Sequence, residues 1–254
     1  MIEISNLSKS YANSGVKAVD GVDLVVKGGE IYGFLGPNGA GKSTTIKCLT
    51  GILPFSEGSI SICGYNLKDE PVKAKSNIGF VADEHTLYEG LTGNEYINFI
   101  ADVFGVEPNI RKERVAKYAT LFDMTDKLYD KISTYSHGMK QKVSIIAALV
   151  HEPKVWVLDE PLTGLDPKSS YELKQLMIEH AKSGNVVFFS SHVLEVVEKL
   201  CTTVAIINKG KIVTVCDMKE LQERRKDVSL EELFLSITGA YNNGQDSEGN
   251  YETI

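Results

Sequence analysis

Short runs in which apolar and polar residues alternate open the chain. Residues 2–5, 18–26 and 59–63 show this period of two, with Gly28, Gly29 and Gly64 as punctuation, and they predict an early antiparallel β section. Between them, EIYGFLG at 30–36 is nearly all apolar and reads as a buried strand. It leads through a glycine-rich turn into a helix over about 42–50, and residues 78–81 form another short strand. From about residue 92 the period changes. Ile97, Ile100, Val103 and Phe104 recur at helical spacing after Thr92, Pro108 opens a second helical stretch reaching Phe122, and a third covers 138–150. Strand and helix then alternate again. VWVLD at 155–159 is a buried strand, 167–181 a helix closed by Gly184, VVFFS at 186–190 a strand and 192–200 a helix, with strands at 204–207 and 212–215. The pattern is a β/α core interrupted by a helical insert. Residues 239–254 are polar, rich in Gly and Asn and without periodicity, which reads as a poorly ordered end.

The chain has 254 residues, 43% hydrophobic and 24% charged, enough to bury a core without disulfides or metal staples. Lys and Arg number 27 against 34 Asp and Glu, for a net charge of −7, which is not the electrostatic footprint of a general nucleic-acid binder. Cys48, Cys63, Cys201 and Cys216 form no C-x-x-C pair, so reduced thiols are expected rather than a zinc site. The first residues show no basic stretch followed by an apolar core, so no secretory signal is expected. Apolar runs such as 145–150 fall far short of the ~18 residues a spanning helix needs, so the chain is expected not to cross a membrane by itself.

Chemistry enters at the glycine-rich turn. Gly36, Pro37, Asn38, Gly39, Ala40, Gly41, Lys42, Ser43 and Thr44 spell GPNGAGKST, the phosphate-loop pattern, with the strand before and the helix after that it requires. The glycines let backbone N–H groups converge on phosphate oxygens, Lys42 reaches the terminal phosphates, and the Ser43 hydroxyl is placed to ligate Mg²⁺. A nucleotide site also needs carboxylates. Asp159 ends the strand at 155–159 and suits a metal, while Glu160 points elsewhere and suits an attacking water. Ahead of that strand, Ser136 in YSHGMKQ stands at a helix start, either as a plain N-cap or as a second anion grip.

In this order the motifs resemble the ATP-binding-cassette (ABC) family, specifically the nucleotide-binding subunits of ABC transporters, over about residues 1–238. YSHGMKQ at 135–141 is similar to the family's LSGGQ signature, and DEPLTGLDP at 159–167 to its extended Walker B and D-loop, with Asp166 in the D-loop place. SSH at 190–192 resembles the switch motif ending in His192, and Tyr11 stands where the family has the aromatic residue that stacks on adenine. The resemblance implies an α/β P-loop NTPase with a RecA-like core, an antiparallel β section and a helical subdomain at about 84–150. It implies ATP and Mg²⁺, and a head-to-tail dimer with a second ABC ATPase chain, identical or different. Each site would take the phosphate loop of one chain and Ser136, His137 and Gly138 of the other, with Lys42, Glu160 and His192 catalytic. It also implies membrane-spanning transporter subunits as partners and a place on the cytoplasmic face of the membrane.

Three departures from the family pattern matter. Asp83 stands where the family has Gln, a third candidate metal ligand beside Ser43 and Asp159, and it implies altered metal dependence. His137 and Met139 replace a signature glycine and glutamine; His137 is either a pH-sensitive contact or a solvated side chain. No membrane span is expected in the chain, so translocation would need separate membrane subunits. Apolar groups in LYEGL at 87–91 suit either packing of the insert or the groove that takes a membrane partner's coupling helix, and LEELFLSITG at 230–239 resembles the closing helix of ATPases in drug, antibiotic and peptide exporters. Two other readings compete. A soluble ABC ATPase acting on ribosomes or DNA is opposed by the acidic charge and the single cassette, and a non-catalytic regulatory module by intact Lys42, Asp159, Glu160 and His192.

Overall fold

The computed structural model describes residues 1–11, 15–84, 87–224 and 230–238. Its first part runs β1 (Ile2–Ser10), β2 (Lys17–Val26), β3 (Ile31–Leu35), α1 (Lys42–Leu49), β4 (Glu57–Ile62), β5 (Tyr65–Asn66), α2 (Pro71–Ser76) and β6 (Ile78–Val81). Three helices follow, α3 (Gly93–Val103), α4 (Pro108–Leu121) and α5 (His137–Leu149), the last two separated by 3-10 turns at Lys127–Tyr129 and Ile132–Thr134. The chain then returns to the core with β7 (Val155–Asp159), α6 (Pro167–Lys182), β8 (Val186–Ser190), α7 (Leu194–Leu200), β9 (Thr203–Asn208), β10 (Lys211–Asp217), α8 (Met218–Arg224) and α9 (Leu230–Thr238).

Two sheets result. One is antiparallel, in the order β2-β1-β4-β5; the other has the order β10-β9-β3-β8-β7-β6, parallel except for the β9–β10 pair. Strand period decides which core each side chain joins. Val155 and Val157 of β7, Val186 and Phe188 of β8, and Tyr32 and Phe34 of β3 pack toward the antiparallel sheet, with α1 between the layers. Trp156, Leu158, Val187 and Phe189 face the other way, onto α5, α6 and the remaining helices. Both faces of the central strands are thus apolar, which is why their sequences are near-continuous hydrophobic runs. At α3, Thr92 Oγ1 accepts from Glu95 N (3.2 Å) while Thr92 N donates to Glu95 Oε2 (2.8 Å), a capping box that fixes where the helix starts.

Several boundaries differ from the sequence expectation. β1 continues past Ser5 to Ser10 because a bulge with Asn6 at φ +48° breaks the alternation without ending the pairing. The helix expected from residue 192 begins at Leu194, since Val193 N turns back onto Ser191 Oγ (3.1 Å) and leaves His192 in a bend ahead of the helix. β5, α2 and α8 are too short to show a period. The tail expectation for 239–254 lies outside the described residues.

Two histidines are covered by aromatic rings. His151 stacks on Phe104 with centroids 3.7 Å apart, and His180 meets Trp156 at 5.7 Å. Burial pushes both imidazoles down to about 4. Their folded pKa lies below the unfolded 6.5, so as pH falls the unfolded chain takes up protons first. The stability present above 6.5 is lost between 6.5 and 4. At pH 5 the expected loss is on the order of 2 kcal/mol for each histidine. Thermal melts at pH 7 and pH 5 check this, and the His151→Gln, His180→Gln chain should show a visibly smaller difference between the two.

Candidate active site

The phosphate-loop residues sit where β3 gives way to α1. Gly41 adopts φ +110°, and a Cβ there would come within 2.5 Å of Ala18 O, so the turn tolerates no side chain. Gly36 is equally confined, a Cβ meeting Ile207 O at 2.3 Å. Ala40 N donates to Pro37 O (3.1 Å), while Asn38 and Gly39 are exposed at the tip. Lys42 is buried and its Nζ donates to Gly36 O (2.6 Å) and Pro37 O (3.3 Å), folding back onto the carbonyls at the start of the loop. Burial lowers its pKa, partly offset by Glu160 and Asp159, so those carboxylates lie within electrostatic reach of it. Ser43 is exposed beside it, and Thr44 Oγ1 shares a hydrogen bond with Tyr11 OH (3.1 Å). Tyr11 is half-exposed, with Lys9 Nζ 5.6 Å from its ring centroid.

Parallel pairing brings the second half of the site to the same edge. Ser190 of β8 stands opposite both Phe34 of β3 and Asp159 of β7. Asp159 and Ser190 are buried, and Ser190 Oγ donates to Asp159 Oδ1 (2.5 Å) while accepting from Glu160 N (3.1 Å). That second bond helps hold Glu160 at φ +48°, a left-handed conformation that costs a non-glycine residue about 1–2 kcal/mol. The turn aims the Glu160 carboxylate at His192, whose Nδ1 lies 2.8 Å from Glu160 Oε2. Asp83, just beyond β6, is drawn into the same field. Burial first, then Asp159 and Glu84, raise its pKa, while His137 and His192 oppose the shift. The glycine cradle and the oxygen donors Ser43, Asp159 and Asp83 fit a phosphate chain with a hard divalent cation such as Mg²⁺.

Residues 136–138 lie at the start of α5. Ser136 is its N-cap and accepts from Met139 N at 3.3 Å. Gly138 lies so close to the loop after Glu160 that a Cβ would meet Gly164 O at 2.5 Å. The His137 ring rests over the same Gly164, where a Cβ would approach its Cδ2 to 2.2 Å, so this exposed side chain is packed on one edge. Asp166 caps α6, accepting from Ser169 N (2.9 Å) and Ser169 Oγ (2.7 Å), and pairs with Lys142 Nζ (2.8 Å). The Lys142 ammonium, with the Ser169 donors, holds its carboxyl far below the usual range.

Residues 19–163, more than half of the chain, match the ABC transporter family model. The chain belongs to the ABC transporter family. It is 37% identical over 224 residues to LnrL of Bacillus subtilis, a linearmycin resistance ATP-binding protein, covering 88% of this chain and 71% of that one. Bacillus licheniformis BcrA, a bacitracin transport ATP-binding protein, is 36% identical over 227 residues, with 89% and 72% covered. Among solved structures, one described as the ATP binding subunit of an ABC transporter superimposes with a TM-score of 0.87 at 31% identity, over 93% of this chain and 99% of that one. The protein is accordingly an ATP-binding subunit of the ABC class and an ATPase.

In this ABC ATPase the structure gathers Lys42, Asp159, Glu160, His192 and Asp83 past the carboxyl ends of the parallel strands, while Ser136, His137, Gly138 and Asp166 meet at the junction of α5 with the loop before α6. Three contributors escaped the sequence reading: Ser190 as a bridge, Lys142 as the partner of Asp166, and Gln141, whose Nε2 donates to Pro161 O at 2.7 Å. Each acts through a tertiary contact, and spacing along the chain carries no sign of it.

Proposed function

We propose that the chain pairs head to tail on ATP with a second ABC ATPase chain, a second copy of itself being the simplest partner, and so drives export through separate membrane-spanning subunits. The observation that carries the transport reading is an apolar groove of about 350 Å³, lined by Phe80, Ala82, Leu87, Tyr96, Ile100 and Ala148 among others. It opens between β6 and the helical arm, and exposed Tyr88 packs edge-on against Tyr96 of its lining and against exposed Phe99. A shape of this kind suits an amphipathic segment from a membrane partner. No described helix is long and apolar enough to cross a membrane, so a span-bearing subunit is the partner proposed, with this chain on the cytoplasmic face. The names of LnrL and BcrA favour antibiotic-like cargo and the export direction.

Within this reading, residues 1–238 form one ATP-binding domain, and about 84–150 is the arm that carries the signature. Tyr11 stacks on adenine, and backbone N–H groups of residues 38–44 with Lys42 hold the phosphates. Ser43, Asp159 and Asp83 would hold Mg²⁺, which when bound would neutralise charge on the phosphate oxygens. Glu160, braced by Ser190 and His192, orients and deprotonates the attacking water. Ser136, His137 and Gly138 serve the partner chain's ATP, and Asp166 braces the junction behind them.

Asp83 gives this site its own signature. A carboxylate in place of an amide strengthens the cation's hold and adds repulsion toward phosphate. Asp83→Gln is expected to raise the Mg²⁺ concentration for half-maximal hydrolysis about three- to tenfold. A magnesium titration at saturating ATP reads this directly, and an unchanged midpoint removes Asp83 from the metal.

The experiment for the function as a whole is affinity capture of the Glu160→Gln chain with ATP from detergent-solubilised native membranes. Recovery of a multi-span membrane protein in stoichiometric amount is the expected result. Recovery of ribosomes or DNA instead would move the protein to the soluble branch of the family.

A further inference from the structure

One short loop touches both the groove and the helix that starts with the signature. Leu87 lines the groove, and Tyr88 sets its ring edge-on against Tyr96 (6.1 Å) and Phe99 (5.8 Å). The loop is then stitched to the chain leading into α5. Ser133 N donates to Glu89 O (3.2 Å) and Ile132 N to Leu91 O (2.9 Å), while Leu91 N closes a turn on Tyr88 O (2.9 Å). Finally the Glu89 side chain reaches α5, its Oε1 accepting from Lys140 Nζ at 2.6 Å. Lys140 N in turn donates to Ser136 O (3.0 Å), so this lysine closes the helical turn that Ser136 begins.

Some exposed ion pairs join neighbours three or four positions apart, as Lys199–Glu195 and Lys73–Glu70 do, and pairs of that kind contribute little to stability. Glu89–Lys140 spans 51 positions, as other tertiary pairs do, and what sets it apart is that it joins the loop at the groove to the first turns of α5. Glu89 is exposed, whereas Lys140 is largely covered, so the lysine has few other places to go. A displacement of Leu87 or Tyr88 has two routes to Ser136, one along the backbone bonds and one through the ion pair. Coupling between sites runs through such contiguous contacts when they move as a unit.

We propose that Glu89 and Lys140 are the transmission pair of this ATPase, coupling occupation of the groove to the setting of the first turn of α5. The inference rests on the groove being the docking face for the membrane subunit. Both are positioning residues, and their effect is felt through Ser136 and Gly138. With the pair intact, an occupant that presses on Tyr88 also sets the helix start that serves the second chain's ATP. Without it, docking and hydrolysis proceed but no longer inform each other.

The test compares the tagged chain alone with the same chain captured from solubilised native membranes together with its co-purifying membrane protein and returned to liposomes. Glu89→Gln removes the charge, and the exchange Glu89→Lys with Lys140→Glu reverses the pair. For Glu89→Gln, hydrolysis by the chain alone should stay within about twofold of the unmodified chain, since an exposed ion pair adds little to folding. The co-purified membrane protein should remain at the unmodified ratio, while its stimulation of hydrolysis falls about three- to thirtyfold. The exchanged pair should recover most of that stimulation, which a simple loss of stability would not allow. Full stimulation in Glu89→Gln overturns the proposal, and so does loss of the membrane protein, which would make Glu89 a docking contact. If the unmodified chain captures no multi-span protein, the docking reading itself fails and the transmission role falls with it.

Discussion

Replacing Glu160 by Gln is expected to lower steady-state ATP hydrolysis by about 10²–10⁴-fold, the range a positioned general base contributes. ATP affinity should stay within a few-fold, because the phosphate loop and Lys42 are untouched. The geometry supports so large an effect from one atom. Glu160 is held at φ +48° by the bond from its own N–H to Ser190 Oγ, and its carboxylate meets His192 Nδ1 at 2.8 Å. Gln preserves the shape and a hydrogen-bonding oxygen but cannot accept the water's proton. Hydrolysis rates measured beside equilibrium ATP binding separate the two effects. Turnover near that of the unmodified chain would remove Glu160 from the chemistry and leave its left-handed backbone without a purpose.

The second large effect comes from a single methyl group. Gly138→Ala places a Cβ 2.5 Å from Gly164 O, where the obstacle is backbone and does not swing aside. The start of α5 must back away from the loop after Glu160 by a substantial fraction of an ångström, carrying Ser136 with it. Misplacement on this scale costs about 100-fold in rate when the displaced groups position a reacting centre. ATP binding by the single chain should change by less than about threefold, because residues 36–44 lie on β3 and α1, outside this contact. Gly15→Ala, where an added Cβ meets nothing within 4 Å, is the control and should leave both quantities unchanged. Weak ATP binding in Gly138→Ala would place the glycine in the wrong half of the site.

Most of the architecture could be read from the pattern of the chain because its central strands are buried on both faces. VWVLD and VVFFS have the observed bounds of β7 and β8, Val155–Asp159 and Val186–Ser190. The helical arm was visible through its period and through Thr92 and Pro108 at helix starts. β1 was read too short because the bulge at Asn6 shifts the face that its side chains present. The start of α7 was misplaced because a local bond, Val193 N to Ser191 Oγ, competes with the helix there. In the site, motif residues were legible one by one, but their mutual bonds were not. Ser190 bridging Asp159 and the Glu160 amide depends on β8 pairing with β7, and a glutamate at positive φ leaves no mark in a sequence. The sequence leaves His137 as a solvated group or a pH-sensitive contact; in the structure its ring edge is packed over Gly164. Asp166, read as a D-loop residue, is also an N-cap and the partner of Lys142.

The central claim, that each ATP is shared between the phosphate loop of one chain and the signature of another, is tested most directly by mixing two inactive variants. Lys42→Ala removes the phosphate grip and Gly138→Ala the signature, so neither chain alone can form a complete site. In a mixed pair one site carries both defects and the other carries neither. With random pairing, half of the dimers are mixed and each has one intact site, so mixing equal amounts should restore about a quarter of unmodified hydrolysis. A mixture no more active than the sum of its parts would contradict the shared site between two copies of this chain.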